Sequence, residues 1–326
     1  MLTLNRRHLL YSALSTVVNT RLALGASTLS AEISLPLNLS GMPVPTFENG
    51  FLAVLDSELT TVTLIDMQGV IASTFSPRLP GAAVLRIGGV AVSRTGKLVL
   101  SLSAKDALGH YSFFFAMASS SGQVNRIVQL HPFAVRKTLF LPDGRLFCLG
   151  REYDANFKDV SGHHVARFYD SNGALQSTAL PVEGLMSRAG SSHPVEWSTA
   201  LAPDKIGLLD RESKQYCEID YAGKVVRPLS KLEIDESTKV TGIVLLPNGD
   251  RLLTLDIPQK DNDRLRYGVT CGVVQITDAA GAGGLSLLSR HDLMPTGPNP
   301  FVTAIGSHNG KPVFFGRGPD RMLIFG

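Results

Sequence analysis

Thr138-Leu139-Phe140-Leu141-Pro142-Asp143-Gly144-Arg145-Leu146-Phe147-Cys148-Leu149 and Thr241-Gly242-Ile243-Val244-Leu245-Leu246-Pro247-Asn248-Gly249-Asp250-Arg251-Leu252-Leu253-Thr254-Leu255 follow one pattern. Each is an apolar run, a turn carrying Asp-Gly or Asn-Gly, and a second apolar run. These dipeptides supply the positive φ of a tight turn, and the flanks are short β-forming runs, so both segments read as β-hairpins. Gly89 to Leu100 is a third copy. Weaker copies run from Phe47 to Asp56 with Asn49-Gly50 at the turn, from Trp197 to Asp210 with Pro203-Asp204, and from Phe301 to Gly316 with Asn309-Gly310.

Each hairpin is followed by a third strand that ends in its own turn, as in Asp66-Met67-Gln68-Gly69, Asp170-Ser171-Asn172-Gly173 and Asp220-Tyr221-Ala222-Gly223. The turn glycines Gly69, Gly122, Gly173, Gly223 and Gly281 lie 53, 51, 50 and 58 residues apart. A fourth apolar segment follows each turn, such as Ile127 to Leu130 or Val225 to Leu229. Four antiparallel strands repeated at this interval predict an all-β fold, a six-bladed β-propeller with four-stranded blades. The sixth unit stops after its third strand, Arg321 to Gly326, and Glu32 to Leu39 resembles the fourth strands elsewhere. The N-terminal segment is therefore expected to supply the last outer strand, closing the ring and removing exposed sheet edges. A two-sheet sandwich is the alternative, and regular self-similarity argues against it.

The chain has 326 residues, and no low-complexity linker interrupts 31–326, which is read as one propeller domain. Of 31 basic residues, Arg6, Arg7 and Arg21 lie in the acid-free first 30, leaving 28 basic against 28 acidic in the remainder. A balanced body without a basic stripe argues against nucleic acid as a partner. Residues 1–30 combine Arg6-Arg7, a short apolar stretch from Tyr11 to Val18, and small residues at Ala23, Gly25, Ala26 and Ala31. That is the layout of an export signal, of twin-arginine type on the paired arginines, and predicts a periplasmic or secreted protein. An unprocessed amphipathic leader is the alternative. The apolar stretch is too short to span a bilayer, so no transmembrane anchor is expected. Cys148, Cys217 and Cys271 fall on strands of different units and read as buried free thiols without Cys-x-x-Cys spacing.

With the hairpin motifs at 89–100, 138–149 and 241–255, residues 32–326 resemble six-bladed propellers of the NHL and gluconolactonase-like superfamily. Asp56, Asp210 and Asp256 echo the acid that the NHL pattern places after the second strand. The resemblance implies the propeller architecture. It also implies an alternative function, a metal-dependent hydrolase of lactonase type with a divalent ion at the channel mouth.

Loops between second and third strands, and those between units, are expected on one face of such a fold. His110, His131, His163, His164, His193 and His291 fall in them, as do the long segments Arg151 to His164, Pro181 to Glu196 and Asp256 to Gly268. Long loops on a rigid scaffold are where binding residues usually sit. At the exits of the second strands stand Arg151-Glu152, Asp210-Arg211, Asp256 and Arg317, a candidate ligand-binding ring in which the arginines would grip carboxylate or sulfate oxygens. Salt bridges between blades are the alternative role for these residues. His193, Glu196 and Asp210 form a weak candidate catalytic set, because an imidazole beside carboxylates can move protons. No metal ligands and no cofactor are assigned in the main reading. Asp261-Asn262-Asp263 lacks the Gly and Glu of an EF-hand, and Gly190-Ser191-Ser192-His193 does not fit a nucleophile elbow. The preferred reading is an exported binding or scaffold module for a small polar ligand, a glycan or a protein partner on the long-loop face.

Overall fold

All six hairpins read from the sequence occur as adjacent antiparallel strand pairs. The structure, a computed structural model, describes residues 29–39, 42–120, 122–130, 132–154, 158–182, 197–232, 234–247, 249, 251–259, 268–276, 285–288, 301–317 and 321–325. The expected leader lies outside them, except that its last two residues, Leu29 and Ser30, belong to β1 (Leu29–Ser34).

The sheets follow chain order. The first contains β2 (Thr46–Glu48), β3 (Phe51–Leu55), β4 (Val62–Ile65) and β5 (Ile71–Phe75). Next come β6 (Val84–Val92), β7 (Leu98–Lys105), β8 (Tyr111–Ala118) and β9 (Val124–Gln129). The third holds β10 (Phe133–Phe140), β11 (Leu146–Glu152), β12 (His164–Tyr169) and β13 (Leu175–Pro181). The fourth holds β14 (Trp197–Leu201), β15 (Lys205–Asp210), β16 (Gln215–Asp220) and β17 (Val225–Lys231). The fifth holds β18 (Lys239–Leu245), β19 (Arg251–Gln259), β20 (Gly268–Ile276) and β21 (Leu285–Leu288). In the last, β22 (Phe301–His308), β23 (Lys311–Arg317) and β24 (Arg321–Phe325) are completed by β1 on the outside of β24.

The pairing of the termini is therefore present, on a segment shifted toward the N-terminus that shares Glu32 to Ser34 with the one the sequence suggests. Ile33 faces Met322 and Ser34 faces Arg321, and the strand stops there rather than reaching Leu39. Pro36 has no N–H to give a ladder, and Leu39 instead sinks between the last and first sheets beside Phe47, Leu52 and Phe315.

Local turn chemistry explains the outer half of each sheet. In Asp66, Asp170 and Asp220 the carboxylate accepts the backbone N–H two and four residues on, at 2.8–2.9 Å. The turn glycine N–H then bonds the Asp carbonyl at 3.0 Å, with φ between 79° and 87° at Gly69, Gly173 and Gly223. Such an Asx turn needs both residue types, hence the recurring Asp-x-x-Gly.

Apolar side chains alternate along the strands and meet between sheets. Leu149, Phe147 and Phe168 of the third sheet pack on Ile206, Leu208 and Ile219 of the fourth, and the same arrangement joins first to second, second to third, fourth to fifth and last to first. Cys148 and Cys217 are buried free thiols in these interfaces, where burial pushes the Cys217 thiol up to about 12. The Cys271 side chain lies outside the described residues.

The first strand of each sheet is the innermost. Strand β2 lies against β6 and β22, β6 against β10, and β18 against β14 and β22. This is the all-β propeller arrangement, with inner strands surrounding an axis. Four of these strands carry a β-bulge near mid-length: β6 between Ile87 and Gly89, β10 between Val135 and Lys137, β18 between Val240 and Gly242, and β22 between Ala304 and Gly306. At that level backbones of neighbouring sheets nearly touch. A Cβ on Gly242 would sit 2.4 Å from the Ala304 carbonyl oxygen and 2.6 Å from Thr303 Oγ1, and the Thr303 hydroxyl donates to the Thr241 carbonyl at 3.0 Å. Gly242→Ala is expected to cost about 1–3 kcal/mol in urea unfolding, because the obstruction is backbone rather than a movable side chain. An unchanged midpoint would mean that the two inner strands can separate freely.

Candidate functional site

The inner strands enclose a cavity of about 1350 Å³ along the axis. Its wall is built from β2, β6, β10, β14, β18 and β22 together with the ends of β3, β7 and β8 and with Tyr153, which follows β11. Two mouths follow from the strand directions. Lys105, Tyr111, Tyr153 and Arg211 lie at the long-loop end, and Asn49, Arg94, Pro142, Pro203 and Pro247 lie at the hairpin-turn end.

The charge of this wall is one-sided. Arg86, Arg94, Lys105, Arg136, Lys137 and Arg211 line it, and Glu48 is the one acidic residue among the described lining residues. Arg136 and Lys137 are consecutive, yet both are exposed to the cavity. Alternation along a regular strand would send them to opposite faces, but the bulge between Val135 and Lys137 breaks the alternation and re-aims them. Arg86 stands two residues before the Gly88 bulge of β6 and is exposed. Arg211 reaches inward from the loop after β15, its Nη1 3.5 Å from the carbonyl oxygen of Thr241 at the bulge of β18. The Lys105 ammonium lies 5.3 Å from the centre of the Tyr111 ring.

Glu48 sits at the opposite end. Its carboxyl accepts the Val92 N–H of the second sheet at 2.6 Å and the Phe140 N–H of the third at 2.5 Å. One side chain thus ties three successive sheets, and the neighbouring Asn49 Nδ2 donates to the Val92 carbonyl at 2.7 Å. Burial pushes the Glu48 pKa up to about 8, against the two backbone N–H bonds that pull it down. The one acid among the described lining residues is thus held by backbone N–H groups at the hairpin-turn end.

The residues singled out from sequence are placed differently. Of the proposed ring, Arg211 lines the cavity. Arg151 is buried and its Nη1 donates to Asp159 at 2.7 Å within its own loop, while Glu152 pairs with Arg167 of the adjacent strand. Asp210 turns back on its own loop, accepting the Glu212 and Ser213 N–H groups at 3.0 and 3.3 Å and the Ser213 hydroxyl at 2.6 Å. Asp256 lies opposite Lys239 on β18 and is half-buried. The Arg317 side chain, His131, His193, Glu196 and His291 lie outside the described residues, as do Asp261 to Asp263, Gly190 to Ser192 and Gly281 to Gly284.

The physical reason is one strand of displacement. Second-strand exits stand one strand further from the axis than the inner strands: long cationic side chains such as Lys105 and Arg211 still reach the cavity from there, whereas the short acids cap the loop that follows. Asp56 accepts the Thr60 and Thr61 N–H groups at 2.7 and 3.1 Å, and Asp106 accepts those of Leu108 and His110 at 2.9 Å. The histidines do not gather either. His110 is exposed beside Asp106, His163 is buried with Nδ1 2.5 Å from the Val160 carbonyl oxygen, His164 begins β12, and His308 stacks edge-on against Phe47. The alternative role, salt bridges between blades, is realised elsewhere: Glu218 of β16 accepts Arg251 Nε from the next sheet and Lys205 Nζ at 3.0 Å. Among the described residues no three His, Cys, Asp or Glu side chains converge as a metal site would require.

No protein-family model matches the chain, and no curated protein matches it in sequence. Solved structures do resemble it. A luciferin-regenerating enzyme aligns with TM-score 0.54 and 11% identity, covering 91% of this chain and 95% of that one. Virginiamycin B lyase from Staphylococcus aureus aligns with TM-score 0.43 and 12% identity over 87% of this chain and 80% of that one. The Swd1 β-propeller domain from Myceliophteria thermophila aligns with TM-score 0.42 and 12% identity over 91% and 98%. At such identities the likeness concerns the fold alone, the all-β propeller.

Proposed function

We propose that the chain is an exported, six-bladed propeller of NHL or gluconolactonase-like type that works as a binding module, holding a small polar ligand in its central cavity. The observation that carries this reading is the cavity itself: about 1350 Å³, open between rigid inner strands and lined by several charged side chains. A volume of that order suits a small-molecule site. The six four-stranded sheets and the β1–β24 closure support the blade count, and the leader with Arg6-Arg7 supports export to the periplasm or beyond. The lactonase-type alternative calls for carboxylates around an ion, and the described lining contributes Glu48 alone, its two oxygens already taken by backbone N–H groups.

The test is a thermal-shift panel of sugars, organic acids and nucleotides, repeated on Thr199→Trp. Thr199 lines the cavity from β14 and is half-buried, so an indole there fills part of the space. A solute that raises the melting temperature of the parent protein and not of Thr199→Trp supports the reading. Equal shifts in both would place the binding elsewhere.

A further inference from the structure

The binding-module reading leaves the ligand's chemistry open, and the wall narrows it. Resting on that reading, we propose that the cavity takes a compact, multiply charged anion of oligophosphate or polycarboxylate type, entering at the long-loop mouth and held at the bulge level by Arg136 and Lys137.

Three independent features point there. First, cations occupy successive depths: Lys105 and Arg211 at the mouth, Arg86 next, and Arg136 with Lys137 at mid-channel. Charges spread in this way match a ligand that carries several anionic groups rather than one. Second, the bulge in β10, one of four at this level of the inner strands, falls where two cations are adjacent and turns both toward the same space. Third, Glu48, the one acid among the described lining residues, is buried and held by two backbone N–H groups at the far end, away from Lys105, Arg211 and Arg86. Like charges gathered around one cleft with protein walls repel one another and focus the field onto an incoming anion. Guanidinium and ammonium groups then bind carboxylate or phosphate oxygens through charge-assisted hydrogen bonds. The shape is finite: inner strands surround the site, which favours a compact anion over a long polymer.

The experiment is isothermal titration of the purified protein with tripolyphosphate, with citrate, and with neutral raffinose. It is repeated on Arg136→Ala/Lys137→Ala, on Arg86→Ala, and on Arg126→Ala, which removes an exposed cation of the outer strand β9. The expected result is saturable binding of tripolyphosphate or citrate, weakened ~10-fold or more per removed channel cation and unchanged in Arg126→Ala. The stronger of the two anions identifies the phosphate or carboxylate source. Arg136→Lys should retain part of the affinity. Equal weakening in Arg126→Ala would mean loose surface ion association and overturn the proposal. Binding of raffinose alone would overturn the charge argument while leaving the binding module standing, and the absence of binding by all three would remove the anion site.

Discussion

Arg251→Met is expected to lower the unfolding free energy by about 3 kcal/mol at pH 7, the cost of taking the buried partner from a buried carboxylate that keeps only the partly exposed Lys205. Arg251 opens β19 and is 1% exposed. Its Nε donates to Glu218 across the boundary between the fourth and fifth sheets. Glu218 also accepts the Tyr216 hydroxyl at 2.6 Å and the Lys205 ammonium at 3.0 Å. Burial alone would raise the Glu218 pKa, yet bonds from Arg251, Tyr216 and Lys205 together bring it down to about 2. A depressed carboxyl stabilises the fold above its unfolded value near 4.5, and that stabilisation fades as pH falls from there toward 2. The Arg251→Met defect should therefore shrink at pH 3. Arg251→Met/Glu218→Leu should recover most of the loss, because an apolar pair of similar volume can replace a buried ion pair, and Lys205, partly exposed, can turn to water. Urea unfolding of both variants at pH 7 and pH 3 reads this directly. A single-variant loss below about 1 kcal/mol would place the pair among weak surface bridges.

Glu48 should impose the opposite pH dependence. Below about pH 4.5 its carboxyl is protonated in both folded and unfolded chains. Between there and about pH 8 the unfolded chain releases the proton while the folded one keeps it, so stability falls as pH rises, by several kcal/mol across the window. Above about 8 the folded carboxylate is ionised in place and the dependence levels off. Glu48→Gln should abolish the slope between pH 5 and pH 8. It should also cost roughly 1–3 kcal/mol at pH 5, because an amide nitrogen cannot accept one of the two N–H groups that the carboxyl now satisfies. Unfolding midpoints for parent and variant at the two pH values decide it: the same slope in Glu48→Gln would assign the dependence to other groups.

The candidate site was only partly legible. Hairpins and Asx turns are written in a few adjacent residues, so Asp143-Gly144 or Asp170-Ser171-Asn172-Gly173 declare themselves. A ligand ring that includes Asp210 overlooks the Ser three residues on, and Asp56 likewise has a Thr four residues on: this is the spacing of a carboxylate that caps its own loop. Arg136-Lys137, between Val135 and Thr138 in a strand whose remaining residues other than Thr138 are apolar, is the signal that the sequence does contain. Two adjacent charges inside an inner strand fit no regular alternation and indicate a bulge. Glu48 offered no signal, since its partners lie 44 and 92 residues away.

The amino-acid sequence by itself determined the strands, their turns, the repeat and the need for the N-terminus to complete the last sheet, because each depends on short-range conformational preference or on repetition along the chain. Tertiary structure alone decided where the outer strand begins, which strands face the axis, that Arg136 and Lys137 share one cavity with Arg86 and Arg211, and that Glu48 is buried against backbone N–H groups of two other sheets. Those properties depend on burial and on contacts between sheets, which arise only when residues from distant repeats are brought around a common axis.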